Sequence, residues 1–595
     1  MLKDFWKVIG RMLIFIPIFL TMIFCTFPFQ TTSDFAFSPN GDSATRNNWV
    51  DSVFRLLSPD ERIGQLFMVE ASSKWGGNDK FYTNLLTYVD SCHVGGVIFF
   101  YGGPVREAAL INELQARTKV PLMVAQDGEW GLAMRLDSVP CFPRNLCLGA
   151  IANNELIYDL GEEIGQECRR LGVNIDFMPC VDIYDNISNT VIANRSFGSS
   201  PHNVALKGSA IMSGMQKNGI LTTAKHFPGH GNTATDSHEA LPVINVDYQR
   251  IDTFELYPFR YLFANGIKGV MVGHLFIPAL EADSSHTPSS VSSHVINDLL
   301  INKLEFKGLV FTDALQMKGV SKQYSPGELE VKAFEAGVDV FLMPGDCRKA
   351  YSAMVQARDE GKISQAEIDR RCRKILHAKL EMGLHKFKPI STQNLYSDLN
   401  NAHATDLNRI LYENAVTLVS NNETVLPLHD IENLKIATVS ISKSGVNTEF
   451  ENTFAAYTDN VDRFAIAKTA TDSEFAALAS RLNGYDVVVV GFHNGSSYPS
   501  SFGTTKAMTA FVDKLALSQK VILDVFTSPL CLNKFENYSR CAAVVVSYED
   551  NSVVRKASAK MILGSLPFKG VLPITVNPQL REGLSIHTEG REIEY

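Results

Sequence analysis

Eight short apolar runs, each leaving through a polar or glycine-rich exit into a helical stretch, set the first bound on this fold. They are GQLFMV, VGGVIFF, PLMVAQD, NIDFMPCVDI, LTTAKHF, GVMVGHL, GLVFTDA and VDVFLMPGD, all between Gly64 and Asp346. Continuous rather than alternating apolar runs suit parallel strands covered on both faces, and segments such as NELIYDLGEEIGQECRRLG between them have the pattern of amphipathic helices. Eight strand–helix units predict a (β/α)8 barrel of TIM type, an α/β fold whose reactive groups gather where the strands exit. The exits here carry Asp127, Asp182, Lys225 with His226, His274, Asp313 and Asp346. For any one of them a helix cap is the blander reading. Occurring together, they predict one shared mouth.

A chain of 595 residues exceeds one ordinary core. The barrel is expected over 47–385, followed by a polar linker over 386–408. A second series, KIATVSIS, YDVVVVGF, KVILDVFTSP and AAVVVSYED, separated by helical segments, predicts a smaller α/β sandwich over 409–595. That half has no GxGxxG or GxxxxGK[ST] loop, so no nucleotide role is expected, and it offers no chemistry of its own. A net charge of −9, with no basic run after the N-terminus, argues against a nucleic-acid partner. Beyond Cys25 the cysteines show no CxxC pairing. Cys141 with Cys147, and Cys531 with Cys541, are the candidate bridges; isolated cysteines in apolar strands are more often buried thiols.

The first thirty residues stand apart. Lys3, Lys7 and Arg11 precede an apolar run from Met12 to Phe29, which polar residues follow, the pattern of an export signal or an N-terminal inner-membrane anchor. Eighteen residues lie at the lower edge of a bilayer span, leaving cleavage and retention both open. Cys25 invites lipidation, but bulky Phe24 before it makes a poor lipoprotein cleavage site. The expectation is an exported, periplasmic protein.

The stretch KHFPGHGNTATDSH, Lys225 to His238, admits three chemistries. A metal site would use His226 and His230, four apart, with Asp236 and His238, but Pro228, Gly229 and Gly231 oppose the helix that such a pair needs. A phosphate cradle needs a glycine turn opening a helix, whereas NTATDSHEALPVI leads to a proline and a strand-like run. An acid–base loop would use Asp236 to orient His238 and stabilise its protonated form. Taken alone, Asp-x-His is weak evidence, and a surface loop whose aspartate caps a turn is the ordinary alternative.

These residues closely resemble the hallmark of the glycoside hydrolase family 3 β-N-acetylglucosaminidases, in which K-H-F-x-G-H-G is followed by D-S-H. SPDERIGQLFM (58–68), GGVIFF (95–100), QDGEWGLAMRL (126–136), NRSFG (194–198), GHLFIPAL (273–280) and FKGLVFTDALQMKGV (306–320) extend the resemblance, and ENAVTLVSNNETVLPL (413–428) resembles the start of the family's second domain. It implies a retaining exo-β-N-acetylglucosaminidase acting on N-acetylglucosamine glycosides such as muropeptides and other peptidoglycan fragments. No metal or organic cofactor is implied.

By that resemblance Asp313 is the nucleophile and His238 the acid/base, with Asp236 its orienting partner. Asp127, Arg195, Lys225 and His226 hold sugar hydroxyls; Glu129, Arg135 and His274 are possible pocket residues, each with a structural alternative. Histidine in place of a carboxylic acid repels an anionic acceptor less, which leaves phosphorolysis as an alternative to hydrolysis. Trp130 departs from the family pattern, where a second glycine is common, and either walls the sugar or fills a gap under the loop. The rival readings are a family 3 β-glucosidase or β-xylosidase, which usually lacks the D-S-H loop, and a non-catalytic glycan-binding envelope protein, which has no need of Asp313, Asp236 and His238 together.

Overall fold

The computed structural model describes residues 43–237, 239–281, 286–496 and 499–591. The signal or anchor expected over 1–30, with Cys25, lies outside them. Each of the eight apolar runs contains a strand: β1 (Phe67–Ala71), β2 (Gly96–Phe99), β3 (Met123–Gln126), β4 (Ile175–Asp176), β5 (Leu221–Phe227), β6 (Gly269–Val272), β7 (Leu309–Thr312) and β8 (Phe341–Leu342). They pair in parallel in chain order, and β8 returns to β1. A parallel bridge from Phe311 to Val340 joins β7 to the residues before β8 and closes the ring. With every strand buried except at Glu70, the runs are continuously apolar because both faces are covered.

The helices between strands read as expected. Asn154–Leu171 starts on the Asn153 side chain, which accepts from the Glu155 N–H, and ends at Gly172 with φ of 90°. It buries Ile157, Leu160, Ile164, Cys168 and Leu171 along one stripe and packs on the helix Pro201–Lys217. Asp346, a candidate for the mouth, turns out to be a cap: its carboxylate accepts from Lys349 N at 3.2 Å at the start of the helix Cys347–Asp359.

The second sheet has six strands in the order β11-β10-β12-β13-β14-β9, where β9 is Thr417–Asn421, β10 Ile436–Ser442, β11 Val461–Ala467, β12 Val487–Phe492, β13 Val521–Val525 and β14 Ala543–Val546. Five strands run parallel and β9 pairs antiparallel with β14. Between the sheets, 386–408 carries the helix Leu395–Leu399 and the first half of Ala402–Ala415, with Leu395, Leu399, Ala404 and Leu407 buried. Both sheets belong to one compact unit. The cysteines of the described residues are free thiols, and all but Cys141 are buried. Among the described residues no helix is long and apolar enough to cross a membrane.

Candidate active site

The site is built around an irregularity in β5. Its ladder to β6 pairs Thr223 with Gly269 and Ala224 with Val270, skips Lys225 and His226, and resumes at Phe227 with Val272. A break of this kind re-aims side chains at the end of a strand. Lys225 is thereby tied to the other neighbour instead, bridging Cys180 in parallel and accepting from Val181 N at 2.8 Å.

Lys225 places its ammonium 2.7 Å from Asp127 and 2.8 Å from Glu129. Asp127 also accepts from Arg135 at 2.7 Å, and the guanidinium of Arg135 lies 4.1 Å from the centre of the Phe100 ring. Glu129 is held a second time by Arg195, at 2.7 Å from Nη2 and 3.1 Å from Nε. A continuous chain of charge therefore runs Arg135, Asp127, Lys225, Glu129, Arg195. Burial would raise both carboxyls, but Lys225 with Arg135 holds Asp127 below the usual carboxylate range, and Arg195 with Lys225 holds Glu129 well below it. Glu129, only a possible pocket residue from sequence, is an inner link of this network, held by both Lys225 and Arg195.

Arg195 continues the chain to His226, with Nη2 3.3 Å from Nε2, and the other ring nitrogen of His226 lies 2.6 Å from Asp182. Asp182 collects five contacts: the Cys180 thiol, the His226 ring, the His226 N–H to both oxygens, and the His230 N–H at 2.7 Å. Burial would raise it, yet the His226 imidazole and the N–H donors hold it down, to about 2. His230 is itself buried; desolvation brings it down to about 4, so it is neutral, and its Nε2 meets Ser237 Oγ at 3.2 Å. Gly231 is required by contact, since a Cβ there would lie 1.7 Å from the Ile183 carbonyl oxygen.

Asp313 follows β7, half-buried, its backbone N–H bonded to Val272 O and its carboxylate accepting from Ala314 N at 2.8 Å. Burial would raise its carboxyl; His226, His274 and the Ala314 N–H together keep it below the usual range. His274 has Nε2 3.0 Å from the Ala314 carbonyl and Nδ1 2.7 Å from Ser290 Oγ, so it fixes the turn that carries Asp313. Asp127, Glu129, Lys225, Arg195, His226 and Asp313 thus form one electrostatic group. Asp236 is described and His238 lies outside the described residues.

Two features were missed in the sequence. Asp182 was visible at a strand exit, but nothing in its motif marked it as the residue that orients His226. The second domain also reaches the site's wall: Glu549 accepts from Arg144 N at 2.6 Å and from Tyr412 OH at 3.0 Å, and the Arg144 guanidinium lies 4.8 Å from the Trp130 ring centre. Trp130 therefore props the loop between Glu129 and Arg135 against a residue held by the other half of the chain.

A closed parallel ring with carboxylates, cations and imidazoles gathered at its strand exits is the arrangement of a TIM-barrel active site. The glycosyl hydrolase family 3 N-terminal domain matches residues 58–378, more than half of the chain. A β-N-acetylglucosaminidase/β-glucosidase of Cellulomonas fimi is 26% identical, covering 88% of this chain and 95% of the relative. Beta-hexosaminidase A of Pseudoalteromonas piscicida is 30% identical over 81% of this chain and 89% of its own. Among solved structures, a family 3 β-N-acetylglucosaminidase from Paenibacillus sp. str. FPU-7 superposes with a TM-score of 0.73 at 29% identity, covering 87% of this chain and 99% of that one. The chain belongs to glycoside hydrolase family 3, as a hydrolase of glycosidic bonds.

Proposed function

We propose that this chain is an exported, retaining exo-β-N-acetylglucosaminidase that removes terminal β-linked N-acetylglucosamine from glycans, with peptidoglycan fragments as the natural source. The carrying observation is Asp313, a strand-exit carboxylate that accepts from Ala314 N at 2.8 Å and belongs to the same group of charges as Asp127 and His226. An ionised carboxylate so placed attacks the anomeric carbon and forms a glycosyl-enzyme as the bond to the leaving oxygen breaks. His238, oriented by Asp236, gives that oxygen its proton and then takes one from the attacking water. Asp127, Lys225, Arg195 and His226 supply fixed donors and acceptors to the sugar hydroxyls. The names of the relatives above support the N-acetylated sugar.

The test uses the chain from about residue 40 on chromogenic β-N-acetylglucosaminide and β-glucoside, with the anomeric form of the first product read by NMR. Release from the N-acetylated sugar as the β-anomer, reduced about a thousandfold or more in Asp313→Asn, supports the reading. An α-anomer first product, or full activity in Asp313→Asn, overturns it.

A further inference from the structure

Cys180, Asp182 and His226 form a buried group that the reaction above does not use as a group. Cys180 Sγ lies 3.3 Å and His226 Nδ1 2.6 Å from one oxygen, Oδ2 of Asp182. One ligand atom from each of the three falls within 4.8 Å of the others, and among the described residues no other set of histidines, cysteines and carboxylates converges this way. The backbone holds them there. Cys180 bridges Lys225, the residue before His226, and Asp182 accepts from the His226 N–H.

We propose that Cys180, Asp182 and His226 form an inhibitory site for a thiophilic divalent cation of the zinc class. Thiolate, imidazole and carboxylate are the three donor types that zinc takes, and three protein ligands leave a fourth position for water. Binding breaks the Cys180 S–H bond and forms a metal–sulfur bond, the thiol proton passing to solvent. The imidazole proton moves from Nδ1 to Nε2 as Nδ1 turns to the metal. One thiolate and one carboxylate then balance the two charges of the cation, so the buried group ends neutral.

The consequence falls on Arg195. Its Nη2 faces His226 Nε2 at 3.3 Å, a contact that needs Nε2 as acceptor. With the proton on Nε2, two donors face each other, and the Arg195–His226 contact is lost while Glu129 still holds the guanidinium. Asp182 is 1% and Cys180 0% exposed, whereas the Arg195 side chain keeps 23%. The cation therefore enters from the mouth, where substrate would compete with it.

The test titrates the metal-free chain with cobalt(II) in the absence of any sugar, so that it stands whether or not the substrate reading holds. The expected result is one equivalent of a thiolate-to-cobalt charge-transfer band in the near ultraviolet, kept in Cys141→Ser, which removes the exposed thiol, and lost in Cys180→Val. Cys180→Ser, which retains a donor to Asp182, guards against misfolding in Cys180→Val; it too loses the band, and thermal unfolding reports the fold of both. In the activity arm, zinc inhibits competitively and at least about tenfold more weakly in Cys180→Ser, judged against that variant's own metal-free rate. No band in the unaltered chain, a band that survives in Cys180→Ser, or equal zinc inhibition of both proteins overturns the proposal.

Discussion

Arg195 and His226 meet through Nη2 and Nε2 at 3.3 Å, and that contact decides which nitrogen of the imidazole carries the proton. A guanidinium only donates, so Nε2 accepts and Nδ1–H donates to Asp182. Replacing the acceptor by an amide in Asp182→Asn removes the charge that fixes this tautomer. Loss of a charge-assisted hydrogen bond lowers kcat/KM about 10- to 100-fold, mainly through KM if, as proposed above, Arg195 and His226 hold the sugar and Asp313 is the nucleophile. Steady-state kinetics on the chromogenic substrate read the split.

Lys225→Met leaves Asp127 and Glu129 with one cation fewer in a site where the Lys225 and Glu129 side chains are each 1% exposed. Breaking a buried pair from one side destabilises by about 3 to 5 kcal/mol. A lowered thermal midpoint together with weakened sugar binding is expected. An unchanged midpoint would mean that water reaches the pair.

Stability follows pH in two opposed ways. Burial raises Glu107 to about 8 and Asp176 to about 7. From about pH 4.5 upward the unfolded chain has released protons that these groups still hold when folded, so stability falls as pH rises toward 7 to 8, at about 1.4 kcal/mol per pH unit per group. Asp182, held at about 2, and Glu129, held well below its ordinary value, act the other way: their contribution is full above about pH 5 and is lost as pH falls toward 2. The thermal midpoint should peak near pH 5 and drop by pH 8. Glu107→Gln should narrow the difference between those two values.

Gly231→Ala tests the loop without touching a charged group. Its Cβ would meet the Ile183 oxygen at 1.7 Å, so the loop that leads on to Asp236 must shift. A displacement of about 1 Å at a reacting centre costs about a hundredfold in rate, and kcat/KM should fall by that order while the circular dichroism spectrum stays that of the unaltered chain.

How much of this was legible depended on the kind of order involved. The barrel strands announced themselves because both of their faces are covered. In the second half β11, Val-Asp-Arg-Phe-Ala-Ile-Ala, escaped notice because it is an edge strand with an exposed Asp462 and Arg463, and β9 because it lies at the other edge, where only Leu418 and Val419 of Thr-Leu-Val-Ser-Asn are apolar. The charged residues of the mouth stood at strand ends, where the chain order points to them. What tied them together did not, since Asp182 acts through backbone N–H groups, and Glu549 reaches Arg144 from 405 residues away.

Arg195 sits on a loop that both halves of the chain hold in place. Three residues on, a Cβ at Gly198 would lie 2.2 Å from the Pro573 oxygen, and that same oxygen accepts from Ser199 N at 3.0 Å, while Val571 N bonds Ala150 O. A gene trimmed to the barrel would therefore not yield a smaller version of this enzyme. It would strip the backstop from the loop of Arg195 and the anchor from Arg144 at once.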